Sequence, residues 1–331
     1  MVSPLDFSSF IGNRRVVEIL RRALDQERLP HALIFAGPPG VGKKTLALIL
    51  ARHLNCLRPI NGEACNACSG CRKIIAGTHP DVRIVEPEGA YIKIDRVRAL
   101  IGEIAFQPFE ARYRVAILDG ADQMRQEAAN CLLKTLEEPP TRSVLVLVTA
   151  KPYLLLETIR SRSRMLQFGP IAEGLIEEFL VSSQGRAPED ARLAAVLSNG
   201  SLGAALAFDV ERNRETRRQA LRFVSLLLQR GSFGRASALI AGVVKDKESF
   251  PEWVEMTALL LQDLYYAQTA PGRVGERDMA AELNDLAQSA SHASVVAAID
   301  AVKRLKAALQ QNVNRQLALE AMFLAETSRP G

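Results

Sequence analysis

Two hydrophobic rhythms divide the chain. Through the first half, short apolar or β-branched runs alternate with stretches whose apolar residues recur at helical spacing. The runs are "ALIFAG" (32–37), "VRIVE" (82–86), "RVAILDG" (114–120), "SVLVLVTA" (143–150) and "MLQFG" (165–169). Between them lie "KKTLALILARHLN", "DRVRALIGEIAF" and "EAANCLLKTLEE". Strand, crossover helix and strand in succession predict a parallel sheet covered on both faces, an α/β fold. After Pro170 the period changes, and every strong segment reads as helix: "EGLIEEFLVSS", "PEDARLAAVLSN", "RRQALRFVSLLLQR", "PEWVEMTALLLQDLYYAQ", "ASVVAAIDAVKRLKAALQQ" and "RQLALEAMFLAE". With breaks near 169 and near 209, the expected order is an α/β domain (1–169), a small helical domain (170–209) and a helical bundle (210–331).

Composition narrows the class. The 331 residues are 48% hydrophobic and 24% charged, which suits a soluble globular protein of two or three domains. The longest apolar run, 143–150, is too short to span a bilayer. The opening "MVSPLDFSSF" lacks the basic start and apolar stretch of a leader, so a cytoplasmic protein is expected. A net charge of +5 permits contact with nucleic acid without demanding it, because no block of Lys and Arg occurs. Aromatic residues make up 5%, Trp253 stands alone of its kind, and no aromatic–basic alternation suggests stacking on bases.

The candidate chemistry begins at "GPPGVGKKT" (37–45), between a predicted strand and a predicted helix. Gly37, Gly40 and Gly42 free the backbone to turn N–H groups toward phosphate oxygens at a helix N-terminus, and Lys43 would reach the outer phosphates. The hydroxyl that holds Mg²⁺ should come next; Lys44 is there, and Thr45 lies one residue late, rotated by about 100°. "RVAILDG" has the form of the strand whose Asp supports Mg²⁺ and whose next residue activates water. Asp119 is present, Gly120 follows it, and Asp122 is three residues away. Metal ligand and base are thus missing together, which points to lost turnover.

Four of the five cysteines form Cys56-x8-Cys65-x2-Cys68-x2-Cys71. In a reducing compartment such a tetrad suits tetrahedral thiolate coordination of Zn²⁺, and four protein ligands leave no open position for water, so the metal would be structural. Free thiols and an iron–sulfur centre are the alternatives, the latter weakened by the absence of a following Cys-Pro. With the ligand set full, His53 and His79 are expected at the surface. Cys131 falls at a core position of its helix.

"HALIFAGPPGVGKKT", "VAILDGAD", "NCLLKTLEEPP" and "RSRSR", in that order and with the cysteines between the first two, resemble the AAA+ clamp-loader subunits of bacterial DNA polymerase III. The resemblance implies an AAA+ P-loop domain carrying an inserted zinc module (56–71), a helical lid and a C-terminal collar; "NVNRQLALEAMFL" (312–324) is similar to the last collar helix. The motor members, gamma/tau, have a complete P-loop, Asp-Glu at the end of the metal strand and an Arg in the lid motif "GSLR". Here the lid reads "GSLGAAL", with Gly203 in the Arg position. All three departures favour the non-motor, delta prime, branch, as does the lack of tau's long C-terminal extension.

For function the resemblance implies a cytoplasmic, nucleoid-associated member of a five-subunit ring with gamma/tau and delta, which seats the sliding clamp on primed DNA. Any ATP or ADP at its own degenerate loop would be weakly or non-productively bound. The family's SRC motif reads Ser161-Arg162-Ser163, and the resemblance makes Arg162 an arginine finger acting in trans on a neighbour's ATP, an effect worth about 10³ to 10⁵ in rate. By pattern alone "RSRSR" is equally a solvated basic strand end; in an extended segment Arg160 and Arg164 would share the face of Arg162. Thr149 stands where the family feels the γ-phosphate, and the helix bearing Lys134, Glu137 and Glu138 lies near the neighbouring subunit in this family. Two other functions stay open: an ATP-hydrolysing motor that tolerates Lys44 and Gly120, and a zinc-dependent DNA-binding protein on a relic AAA+ fold.

Overall fold

A computed structural model of the chain describes residues 6–246, 249–269, 280–309 and 313–328. Residues 1–5, read above for a leader, and residues 310–312, which end one predicted helix and begin the last segment, lie outside the described residues. The chain divides into two compact units, Met1–Phe208 and Asp209–Gly331.

The first unit is built on five parallel strands: β1 (Ala32–Ala36), β2 (Val82–Val85), β3 (Arg114–Asp119), β4 (Ser143–Thr149) and β5 (Arg164–Gln167), in the spatial order β2-β3-β4-β1-β5. Each expected strand is present, trimmed by one or two residues or shifted by as much. The reason is burial: β1 and β4 are buried along their full length, as strands covered on both faces are. Side chains alternate between two cores. Leu33, Phe35, Val115, Ile117, Val144, Val146 and Val148 face one; Ile34, Ala116, Leu118, Leu145 and Leu147 face the other. Helices α1 (Arg14–Asp25) and α2 (Lys43–Asn55) cover the first face, with Val16, Leu20, Leu46 and Leu50 buried in it. Helices α4 (Ile94–Ile104), α5 (Gln126–Glu137) and α6 (Glu157–Ser161) cover the second through Val97, Leu100, Leu132 and Ile159. The short α3 (Ser69–Ile75) belongs to the cysteine module.

After β5 the same unit continues into α7 (Glu173–Gln184), α8 (Pro188–Leu197) and α9 (Leu202–Ala207). They enclose a core of their own around Ile171, Ile176, Leu180 and Ala194. The second unit holds α10 (Val210–Leu228), α11 (Phe233–Lys245), α12 (Phe250–Thr269), α13 (Ala280–Ser289), α14 (His292–Leu309) and α15 (Arg315–Thr327). Trp253 is buried in its core, edge-on to Phe223 at 5.1 Å between ring centroids, and Phe223 in turn lies 6.1 Å from the Phe323 ring. No described helix is long and apolar enough to cross a membrane.

Candidate functional site

Parallel topology puts the C-terminal ends of β1, β2, β3 and β4 along one edge of the sheet, where α/β folds place their ligands. A cleft of about 490 Å³ opens there, with the loop between β1 and α2 as its floor. Gly37 sits at φ 153°, and a Cβ on it would stand 2.4 Å from the Phe168 carbonyl oxygen, so the backbone path tolerates glycine alone. Gly40 lies at φ 74°. The amides at the start of α2 point into the cleft by virtue of the helix direction, and the first turn carries no acidic residue to compete with an anion.

Lys43 is 7% exposed, and its ammonium donates to the carbonyls of Gly37 at 2.6 Å and Pro38 at 2.5 Å. Burial lowers its pKa, opposed by the charges of Asp119 and Asp122. Lys44 is the informative residue. Its Nζ is paired with Glu86, at the end of β2, and lies 3.9 Å from Asp119 Oδ2, at the end of β3. An ammonium thus stands against the carboxylate that would support a metal. Burial pushes the Asp119 carboxyl up, and the charges of Lys44 and Lys43 pull the other way. Gly120, where the water-activating acid would stand, is in the left-handed region at φ 78° with its Cβ position 2.9 Å from the Pro87 ring, so it serves a turn. Asp122 lines the cleft too, but it is engaged: it accepts from Thr149 Oγ1 at 2.6 Å and from the Ala150 N–H at 3.3 Å. Thr149 is itself buried and accepts from the Lys151 N–H. Thr45 also lines the cleft.

Much of the remaining lining is apolar, with Phe10, Ile11, Ile171, Phe179 and Leu206 beside Gln123. Asn13, just after Phe10 and Ile11 in the chain, accepts from the Gly169 N–H at 2.7 Å and donates to its carbonyl at 3.2 Å. At the start of α9 the Gly203 N–H donates to the Gly40 carbonyl at 2.9 Å. A Cβ on Gly203 would lie 3.1 Å from Gly40 Cα, so the start of α9 sits directly on the loop between β1 and α2. Sequence reasoning missed Glu86, Phe10, Ile11 and Asn13. Glu86 carried one usable signal, a carboxylate just past the end of a parallel strand.

The four cysteines do come together. The sulfurs of Cys56, Cys65, Cys68 and Cys71 lie within 4.8 Å of one another. A Zn–S bond of about 2.3 Å asks for sulfurs about 3.8 Å apart, so the cage is close to the size of a tetrahedral site. Backbone N–H groups already point at sulfur: Cys65 to Cys56 at 3.2 Å, Cys68 to Cys65 at 3.3 Å and Cys71 to Cys68 at 3.4 Å. Burial opposes ionisation of Cys68, yet the amides of Cys71 and Leu57 and the adjacent thiols bring it down to about 6. A donor set of this kind can hold a metal ion. The module is tied to the sheet domain by Glu63, which accepts from the Phe7 N–H at 3.2 Å and pairs with Arg21 of α1.

Other expectations need correction. His79 is 3% exposed: its Nδ1 accepts from the Asp81 N–H at 3.1 Å and its Nε2 faces Glu110 at 3.7 Å, because the turn into β2 folds it under the strand. His53 is half-buried against the Phe7 ring, 5.3 Å between centroids. Neither belongs to the sulfur cage. Cys131 is half-buried, packed on the rim of the second core with its thiol directed at the Glu127 carbonyl. "RSRSR" is not one extended segment: Arg160 and Ser161 finish α6, Arg162 caps it at φ −102°, and Arg164 begins β5. The three arginines therefore do not share a strand face. Arg162 is exposed, with one guanidinium nitrogen on Glu137 of α5 at 2.9 Å and another on the Thr158 carbonyl at 3.2 Å. Lys134 and Glu137 lie on the exposed face of α5, and Glu138, also exposed, caps its C-terminus.

Residues 12–172 match the family model described as DNA polymerase III, delta subunit, and residues 213–327 match DNA polymerase III, delta subunit, C terminal. Over 318 residues the chain is 34% identical to DNA polymerase III subunit delta' of Bacillus subtilis, covering 94% of each chain. Similarity to DNA polymerase III subunit tau of the same organism is confined to 174 residues at 34% identity, 52% of this chain and 31% of that one. Among solved structures, a DNA polymerase III gamma subunit-related protein of Thermotoga maritima aligns with a TM-score of 0.45 and 18% identity over 94% of this chain and 98% of that one.

Proposed function

The chain belongs to the family of DNA polymerase III delta prime subunits, and on that premise we propose that it is a non-motor member of the replicative clamp loader, an AAA+ subunit with a lid (170–209) and a collar (210–331). One observation carries the non-motor reading: the Lys44 ammonium, paired with Glu86 and 3.9 Å from Asp119, stands in the place of the metal ion. A cation there repels Mg²⁺, and Gly120 offers no side chain to accept a proton from water, so both requirements of phosphoryl transfer are unmet. Its partners are gamma/tau and delta in a five-membered ring, acting on the sliding clamp and primed DNA.

The catalytic contribution is Arg162, supplied to a neighbour. Its support is position: an exposed guanidinium at the end of a helix, tethered by one surface ion pair of the kind that contributes at most about 1 kcal/mol and exchanges readily. A planar cation so placed meets charge on a phosphoryl group bound by the next subunit. The cysteine tetrad takes a structural Zn²⁺ through Cys56, Cys65, Cys68 and Cys71, which holds the module and, through Glu63, the Phe7 segment. The test is reconstitution with gamma/tau and delta. Arg162→Ala is expected to lower ATP turnover of the ring by about 10³-fold or more while assembly survives. Undiminished turnover would remove the finger, and steady hydrolysis by this chain alone, abolished by Lys43→Ala, would establish the motor instead.

A further inference from the structure

In a working P-loop the magnesium ion does two things: it bridges the outer phosphates, and it is held by a hydroxyl and an acid of the protein. Here the hydroxyl position is altered, and the acid that remains, Asp119, faces the residue that replaced it. Lys44 replaces the hydroxyl, and its ammonium is already paired with Glu86 and sits 3.9 Å from Asp119. A hydrated Mg²⁺ needs oxygen ligands at about 2.0–2.1 Å in octahedral array. To enter, it would have to take the carboxylate from a covalently attached cation and then lie beside that cation.

The rest of the cleft keeps the features of a nucleotide site. Its 490 Å³ lie within the range of small-molecule pockets. One end carries Lys43 and Lys44 beside Asp119 and Asp122, at the N-terminus of a 13-residue helix whose first turn holds no acid. Phe10, Ile11 and Phe179 add apolar lining of the kind that packs on a base. The loop glycines retain the left-handed backbone that turns amides toward phosphate, Gly40 at φ 74° and Gly42 at φ 91°.

We infer that Lys44 is a built-in counter-cation, and that the cleft takes a nucleoside di- or triphosphate without a divalent metal. The inference rests on the reading of this cleft as a phosphate site, and it deepens that reading by naming the ligand as the metal-free nucleotide. The charge that Mg²⁺ would neutralise on the outer phosphates would be met by the Lys43 and Lys44 ammonium groups, which exchange the Gly37 and Pro38 carbonyls and Glu86 for it. The bound nucleotide then has a supporting role for the loop and the lid resting on it, since nothing in the cleft activates water.

The experiment is a calorimetric titration of the full chain with ADP and with a non-hydrolysable ATP analogue, once in EDTA and once in Mg²⁺. The expected result is weaker apparent affinity in Mg²⁺ than in EDTA, because the ion holds the nucleotide in solution while the cleft takes it without metal, and loss of binding in Lys43→Ala. In Lys44→Thr, whose side chain is exposed enough for the fold to survive, Mg²⁺ should strengthen binding by about tenfold or more, because Asp119 and a hydroxyl become free to hold it. Binding to the unaltered chain as tight in Mg²⁺ as in EDTA, or tighter, overturns the inference while leaving the cleft a phosphate site. Binding that persists in Lys43→Ala removes the phosphate-site reading itself. No binding at millimolar nucleotide in EDTA overturns both. Neither result touches the role of Arg162, which the reconstituted ring tests separately.

Discussion

Asp81 shows how one buried charge can organise a loop. Its side chain is fully buried, accepts from the N–H groups of Phe109, Glu110 and Ala111 at 2.7–2.9 Å, and lies 3.4 Å from the Arg114 guanidinium. Burial alone would raise its pKa, but the three amides and Arg114 outweigh burial and hold it below the ordinary carboxylate value. Asp81→Asn should lose about 2 kcal/mol in denaturant unfolding, about 4–8 °C in melting temperature for a unit of this size. The sign with pH follows from the lowered value: the stabilisation is complete above about pH 4, where an unfolded Asp is ionised, and is lost as pH falls through the folded-state value. Asp81→Asn should therefore flatten the acid limb of the stability curve. Neighbouring His79 works at higher pH. Burial lowers its pKa, so the folded state disfavours the proton and stability should already decline as pH drops below about 6.5. His79→Gln should remove that part of the decline, and an unchanged profile in this variant would show that the ring titrates freely.

Among elements, the contact between α9 and the phosphate loop decides what a reversion can achieve. Sequence comparison with motor subunits suggests that Gly203→Arg would restore a sensing arginine. The structure argues otherwise, because a Cβ there meets Gly40 Cα at 3.1 Å and the Gly203 N–H is already bonded to the Gly40 carbonyl. Backbone cannot yield as a side-chain tip can, so the variant should cost about 1–3 kcal/mol and leave the isolated chain without ATP turnover. A gain of steady hydrolysis from this single change would refute the account of the lid. Much of this level was readable in advance. The five strands were legible because doubly covered strands are nearly continuous apolar runs. Helix α1 escaped notice: its "RRVVEILRRALD" is dense in arginine, and its three buried residues form a narrow stripe. The side-by-side basic face of "RSRSR" failed for a different reason, since period-2 reasoning presumes a strand and the backbone turns a helical end through Arg162.

At the scale of the molecule, two compact units with separate cores lead to a selective response to metal loss. If the proposed Zn²⁺ is bound, removing it with a chelator, or replacing Cys68 by Ser, should destabilise the first unit by several kcal/mol through the cysteine module and the Glu63 bonds to Phe7 and Arg21. Hydrogen exchange should quicken around α1, α2 and α3, while protection in α10 to α15 is unchanged. Metal analysis of the purified chain giving no zinc, or equal loosening in both units, would count against a structural site.

What the linear order of residues determined is the chemistry that is local: the glycine-bearing loop with its adjacent lysines, the cysteine spacing, and the absence of a base after Asp119, since each depends on neighbours within a few positions. What tertiary structure alone decided is which charges meet. Lys44 and Glu86 are 42 positions apart, and only the parallel pairing of β2 with β3, two strands from β1, brings the end of β2 within reach of the start of α2. The same holds for Gly203 on Gly40 and for Glu63 on Phe7 and Arg21. Contacts between distant segments follow from how layers pack, and packing leaves no short-range mark on the residues it joins.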